Sequence, residues 1–599
     1  MAADTETDPA LQDAAWDLRP LLDGGGEEAV DAQLDEAQRR ADAFAQQHAG
    51  RVDALDGPGL VAAMQELVAI FELVGKAGSY ASLRFSTDTA DPARGALLQK
   101  VQEKGTAIET KLLFFGLEWA ALDDGRAEEL LTADGLDFAR HHLRMERRYR
   151  PHLLSEPEEK LVSEKAVTGR SAWSRLFSEQ VSAIEVDGAP LDVALSRLLS
   201  ADREVRATTA EQVTAALEPG LRTRAYIFNT LIHDKAVDDR LRSYPTWLSS
   251  RNLANEVSDE SVQALVTAVK GRYDIPQRWY RLKAQMLGLP RLTDYDRSAA
   301  ITTEDERYGW EQSRDLVLDS FGSFSSEMER LARRFFDEQW IDAPVRPGKR
   351  GGAFATSTVP SVHPYVMLNF TFKRRDVLTL AHELGHGLHF ALAADQGLLQ
   401  QGTPLTVAET ASVFGETIVF NRLLEQASSA ESRLSLLSEA IEGAIATVFR
   451  QTAMNQFEEA VHTARRTEGE LSVDRFNEAW VASQREMFGD SVEITDGYRT
   501  WWSYVPHFIG TPGYVYAYAY GQLLALSVYR RYLDEGEPFV PRYLEMLSAG
   551  GSMLPEDLGR IVGIDLTDPG FWSAGLELVE GQLREAEQAA RDAGRLLAG

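Results

Sequence analysis

The sequence predicts a mainly α-helical protein with a small β-sheet placed directly before one unusual helix. Three observations carry that prediction. Apolar residues recur at helical spacing along most of the 599 residues. The best strand candidates are confined to Gly352–Thr358 and Tyr365–Phe370. Straight after them, residues 379–389 read Thr-Leu-Ala-His-Glu-Leu-Gly-His-Gly-Leu-His.

Residues 1–28 form a lead-in that ends on the Gly24-Gly25-Gly26 turn, with Trp16, Leu18, Leu21 and Leu22 available to dock on the body. Residues 29–200 read as a helical N-terminal domain, with periodic stretches at Ala29–Gln47, Leu60–Ser79 and Pro92–Leu122. Turn signals separate them at Asp56-Gly57-Pro58-Gly59, Asp88–Asp91 and Asp123-Asp124-Gly125. Asp187-Gly188 between short apolar segments predicts a small hairpin over Ile184–Pro190. Residues 201–599 form the larger domain, helical from Asp202 to Phe336 with amphipathic runs at Ser261–Leu287 and Glu306–Trp340. After the strand candidates, helices resume through Thr467 and again at Val473–Met487. An aromatic stretch, Gly497–His507, leads into a Gly/Pro loop with Tyr514, Tyr516, Tyr518 and Tyr520, whose alternation fits either a strand or the start of a helix.

The chemistry lies in residues 382–386, His-Glu-Leu-Gly-His. On a helix, His382 and His386 sit one turn apart on one face, so both imidazoles can reach one metal ion. Val377, Leu378, Leu380, Ala381, Leu384 and Leu388 supply the apolar face, and Asp376 is a candidate N-cap. A catalytic zinc takes three protein ligands and keeps one position open. Glu409, 27 positions after His382, is the candidate third ligand, with Gly397, Gly402 and Pro404 between them to turn the chain back. Thr406-x-x-Glu409 also fits a capping box, in which the glutamate only closes a helix start. Glu416, two turns further on, is placed to accept the second ring N–H of a ligating histidine or to remain an ordinary solvated glutamate. His389 reads as a core group, since a fourth ligand would close the site.

Composition narrows the rest. Lys and Arg number 62 against 92 Asp and Glu, a net charge of −30, which argues against a nucleic-acid partner. Cysteine is absent, so disulfides and thiolate ligands are excluded and a metal must be held by His and carboxylate. No basic patch followed by an apolar run opens the chain, and no window of about 20 residues reads as apolar enough to span a bilayer. The expectation is a cytoplasmic protein with no membrane partner.

Three motifs in order, residues 382–386, Val407–Ser412 and His507–Tyr518, resemble the thimet oligopeptidase and oligoendopeptidase F family of zinc metallopeptidases, over roughly Leu122–Leu583. The resemblance implies a multi-helical zincin-type fold enclosing a deep substrate channel, one zinc per chain, and internal cleavage of short unfolded peptides. It implies zinc ligation by His382, His386 and Glu409, with Glu383 as general base. It also implies oxyanion donors at His507 and a tyrosine of the following loop, with Tyr514 the first candidate and Tyr516 and Tyr518 the alternatives, since spacing alone does not say which points inward. Gly352, Ala353 and Phe354 are the candidate edge residues that would pair with a peptide backbone. Two alternatives remain open, a zinc carboxypeptidase on a related helical scaffold and a non-catalytic peptide-binding protein with a vestigial zinc site. Oligomeric state is left open.

Overall fold

The structure is a computed structural model that describes residues 8–166, 168–301 and 306–596. The chain folds into two compact units, each assembled from three separated stretches. One comprises Met1–Arg150, Asp305–Leu423 and Arg531–Ile564. The other comprises Pro151–Glu304, Leu424–Arg530 and Asp565–Gly599.

In the first unit, helices Glu28–His48, Gly57–Ser86 and Pro92–Ala121 pack together around Ile70, Leu112, Phe115 and Trp119. Asp56 and Asp91 cap the second and third of these helices, each followed by a proline in the first turn. Gly57–Ser86 is long and apolar enough to cross a membrane by length and composition, which corrects the expectation that no such window exists. Its Leu60, Met64, Leu67 and Ile70 belong to the helical core, while 28% of the apolar window is buried.

The sheet of this unit has three strands, β1 (Ile341–Pro344), β2 (Phe354–Thr356) and β3 (Tyr365–Phe370), in the order β1-β3-β2. β1 runs parallel to β3, and β2 runs antiparallel to it with Ala355 opposite Val366. The lead-in closes one edge, where Ala343 N–H donates to Ala14 O and Asp17 N–H to Gln339 O. Trp16 lies edge-on to Tyr365 at 5.9 Å, the docking its apolar surface predicted. β2 is the outer strand on the other side. The loop before it is anchored by the buried Lys349 ammonium, which donates to Asp342, Pro344 O and Leu368 O.

α1 (Arg374–Ala393) packs on β2 and β3, and α2 (Leu405–Gln426) crosses α1. α1 starts before Asp376, not after it. The Asp376 carboxylate folds back to accept the N–H groups of Thr371 (2.6 Å) and Lys373 (3.0 Å), so it acts from inside the first turn.

The second unit is also helical. Leu221–Leu241, Asp259–Lys270, α3 (Arg450–Glu468), Val473–Phe488, α4 (Tyr516–Glu535) and Pro569–Asp592 are its main members. Trp279, Trp480, Phe457 and Trp572 are buried in it. The hairpin forms at Glu185–Val186 and Ala189–Pro190, with Asp187 and Gly188 both at positive φ as a tight turn requires. Ser261–Leu287 is broken into two helices, Asp259–Lys270 and Asp274–Met286, as Glu306–Trp340 in the first unit is broken at Ser325.

Candidate metal centre and active site

The site begins with the crossing of α1 and α2. A Cβ on Gly385 would lie 2.5 Å from Ala411 O and 2.6 Å from Ser412 Cα, so only glycine lets the two backbones touch. Glu409 and Glu416 flank Ser412 by one turn on either side, and the close approach delivers both carboxylates to the histidines of α1.

Glu409 Oε2 stands 3.4 Å from His382 Nε2 and 3.5 Å from His386 Nε2. The two imidazole rings are 5.0 Å apart at 82°. One ligand atom from each of the three residues falls within 4.8 Å of the others. Among the described residues this is the group of His and carboxylate side chains close enough to hold an ion. Ser412 Oγ donates to Glu409 Oε2 at 2.6 Å and fixes that carboxylate. His382 Nδ1 bonds Glu416 Oε2 at 3.0 Å, which leaves Nε2 turned toward Glu409.

Electrostatics follow from this packing. Burial works to lower His382, yet the bond to Glu416 and the charges of Glu409, Glu416 and Glu383 push the ring up to about 9. His386 is lowered, chiefly by burial. For Glu409, burial raises the carboxyl, but both histidines and Ser412 outweigh it and hold the group below its ordinary value. Burial pushes Glu383 up to about 7, against the pull of His382 and of the Ala355 N–H from β2. His389 is buried and pushed down to about 3 by its apolar surroundings, so it is a neutral core ring.

Of the edge candidates, Phe354 opens β2, and Ala353 and Gly352 precede it, Gly352 at φ +81°. The strand itself is Phe354-Ala355-Thr356, two residues later than the sequence placed its start, because Asn369 Nδ2 ties Gly352 O into the preceding loop at 2.7 Å.

His507 and Tyr514 belong to the second unit. Their rings are parallel with centroids 6.2 Å apart. Tyr518 stands edge-on to both, its hydroxyl 3.2 Å from His507 Nε2. Tyr516, Tyr518 and Tyr520 open helix α4, so Tyr516 and Tyr520 share a face, while Tyr514 leaves the turn before the helix and meets Tyr518 edge-on. Tyr516 donates to Asn252 Oδ1 at 2.8 Å and accepts from Asn255 Nδ2 at 2.9 Å, and the Tyr520 hydroxyl lies 2.8 Å from Ser261 Oγ. Those two are core groups.

Sequence reasoning passed over Ser412, the Ala355 backbone and the Tyr518–His507 contact. Only Ser412 carried a signal, standing three residues after a candidate ligand on a predicted helix.

The family profile described as peptidase family M3 matches residues 323–578, and that described as Oligopeptidase F matches residues 118–185. Oligopeptidase PepF of Bacillus subtilis is 26% identical over 532 residues, covering 87% of this chain and 79% of its own. A solved chain from Chlamydophila abortus superimposes with a TM-score of 0.85 at 22% identity, over 98% of this chain and 99% of that one. The oligoendopeptidase-F of Enterococcus faecium superimposes with a TM-score of 0.71 at 21% identity, over 94% and 98%. With the two profiles spanning more than half of the sequence, the chain belongs to peptidase family M3 and is a metalloendopeptidase that acts on oligopeptides.

Proposed function

We propose that the protein is a zinc-dependent oligoendopeptidase that hydrolyses internal bonds of short unfolded peptides. The observation that carries this reading is the convergence of His382, His386 and Glu409 on one point, beside a base. Two imidazoles and a carboxylate, with no thiolate in the chain, are a donor set that suits zinc with one coordination position left for the reaction.

His382 Nε2, His386 Nε2 and Glu409 Oε2 would hold the ion, with Glu416 keeping His382 in the required tautomer. Bound there, zinc supplies Lewis acidity that acidifies water and polarises the scissile carbonyl. Glu383 takes the proton from the attacking water onto its carboxylate and delivers it to the leaving amine nitrogen. His507 and the Tyr514 hydroxyl donate to the carbonyl oxygen as charge develops on it. The outer strand β2 aligns the peptide backbone by main-chain hydrogen bonds, which are blind to side chains and favour broad sequence tolerance. The reading includes a cytoplasmic setting.

Glu383→Gln tests it. Zinc content should match the wild type, while cleavage of a quenched fluorescent decapeptide falls about 10³-fold. Unchanged cleavage removes Glu383 from the mechanism. Mass spectrometry of the wild-type digest should show internal cuts; stepwise loss from the C-terminus would turn the reading to a carboxypeptidase.

A further inference from the structure

The strongest unexplained feature outside the metal centre is a fully buried carboxylate in the second unit. Glu458, on α3, has 0% exposure, and its Oε1 accepts the N–H of Gly513 at 2.9 Å. Its Oε2 has no hydrogen-bond partner. Burying a carboxyl for one backbone bond is costly, so the bond's location matters.

Gly513 is the third residue of a β-turn, Thr511-Pro512-Gly513-Tyr514, closed by Tyr514 N–H donating to Thr511 O at 3.1 Å. Proline in the second place and a φ of +74° in the third make it a type II turn. Type I and type II turns differ by a flip of the central peptide plane, here the plane joining Pro512 to Gly513. That plane is held at both ends. Arg251 Nε donates to Pro512 O at 3.4 Å, and Glu458 accepts from Gly513 N. A Cβ on Gly513 would meet Leu248 Cδ1 at 2.7 Å, so the turn is also walled by side chains. The next residue is Tyr514, whose ring lies against His507 and Tyr518.

We infer that Glu458 and Arg251 are a positioning pair that locks the central peptide of this turn, and through it aims Tyr514. The inference rests on the proposed role of Tyr514 as an oxyanion donor. Neither residue touches substrate; each acts through one peptide plane.

A double-mutant cycle on the full-length zinc enzyme tests it. Glu458→Leu should lower kcat at least tenfold with KM within about threefold, because an aimed donor matters at the transition state. Glu458→Gln keeps an acceptor oxygen at the same place and should hold kcat within about threefold of wild type. In a Tyr514→Phe background, the loss caused by Glu458→Leu should shrink below threefold. If Glu458→Leu does not fold, Arg251→Met, at the other end of the plane, is put through the same cycle with the same expectation. A loss that persists undiminished beside Tyr514→Phe, a wild-type kcat in the apolar variant, or failure of Glu458→Gln to rescue overturns the positioning role alone. A Tyr514→Phe enzyme with normal kcat overturns the proposed role of Tyr514 as well.

Discussion

The two units aim their candidate functional side chains by different means. In the first, α1 and α2 touch backbone to backbone at Gly385, and four charged or ionisable side chains are set by helical period and by that crossing, His382 and His386 on one rod and Glu409 and Glu416 on the other. In the second, His507 sits on a single helical turn, Tyr514 leaves a β-turn, and Tyr518 rides the start of α4. The first arrangement is as stiff as two crossed helices. The second depends on the orientation of one peptide plane. The contrast teaches that a ligand set can be encoded by spacing, whereas a donor on a loop needs buried polar support from elsewhere in the chain.

Variants should separate the two kinds of site, because those of the three candidate metal ligands lose metal and activity together. His386→Ala or Glu409→Ala should abolish stoichiometric zinc binding and bring peptide cleavage down to background, read by metal analysis and a fluorescent peptide assay. Retained zinc in either variant would break the three-ligand assignment. Tyr514→Phe should instead keep its zinc and lose about a hundredfold in kcat with KM nearly unchanged. Tyr516→Phe sharpens that comparison, since its hydroxyl is engaged by Asn252 and Asn255. It should leave turnover within about twofold and lower the unfolding midpoint, by the equivalent of about 1–2 kcal/mol.

Gly385→Ala probes the crossing itself. The added methyl group meets Ala411 O and Ser412, so α1 and α2 must separate, at a cost of about 1–3 kcal/mol. Zinc affinity should weaken in parallel with thermal stability. A variant that loses stability but binds zinc as before would show that Glu409 does not depend on the contact.

The smallest effect on activity is a pH effect on stability. Burial raises Glu458 from 4.5 to about 8, so the folded protein holds that proton more tightly than the unfolded chain. Its contribution is therefore full below about pH 4.5, declines as pH rises toward 8, and is constant above that. The decline is about 1.4 kcal/mol per pH unit within the window. Glu458→Gln has no proton to lose, so thermal midpoints of variant and wild type should diverge between pH 5 and pH 8 in the variant's favour. Parallel curves would mean that Glu458 is ionised in the fold.

Much of this was legible because it is local. The i, i+4 spacing of His382 and His386 needs nothing but a helix to become a bidentate face, and the long periodic runs announced the helical class. Strand candidates between 352 and 370 were legible for the same reason, as β-branched and aromatic residues bounded by Gly and Pro. Local signals also misled. Asp376 looked like a cap outside the helix, yet it closes the helix start from within, because Thr371 and Lys373 bend back over it. The apolar run in Gly57–Ser86 is as long as a membrane span, and only the structure shows that Leu60, Met64, Leu67 and Ile70 on it pack into the helical core.

By itself, then, the sequence determined the helical class, the pair of histidines with the glutamate between them, and the absence of thiol chemistry, since each depends on residue type or on spacing within a few turns. Only the tertiary structure decided that Glu409 faces two imidazoles and not its own helix start, that Ser412 and Glu416 hold the set, and that Tyr514 and Tyr518 keep company with His507 while Tyr516 and Tyr520 bond into the core. Those outcomes depend on where a second helix crosses the first and on which buried group grips a turn, and contacts between residues tens to hundreds of positions apart leave no periodic trace along the chain.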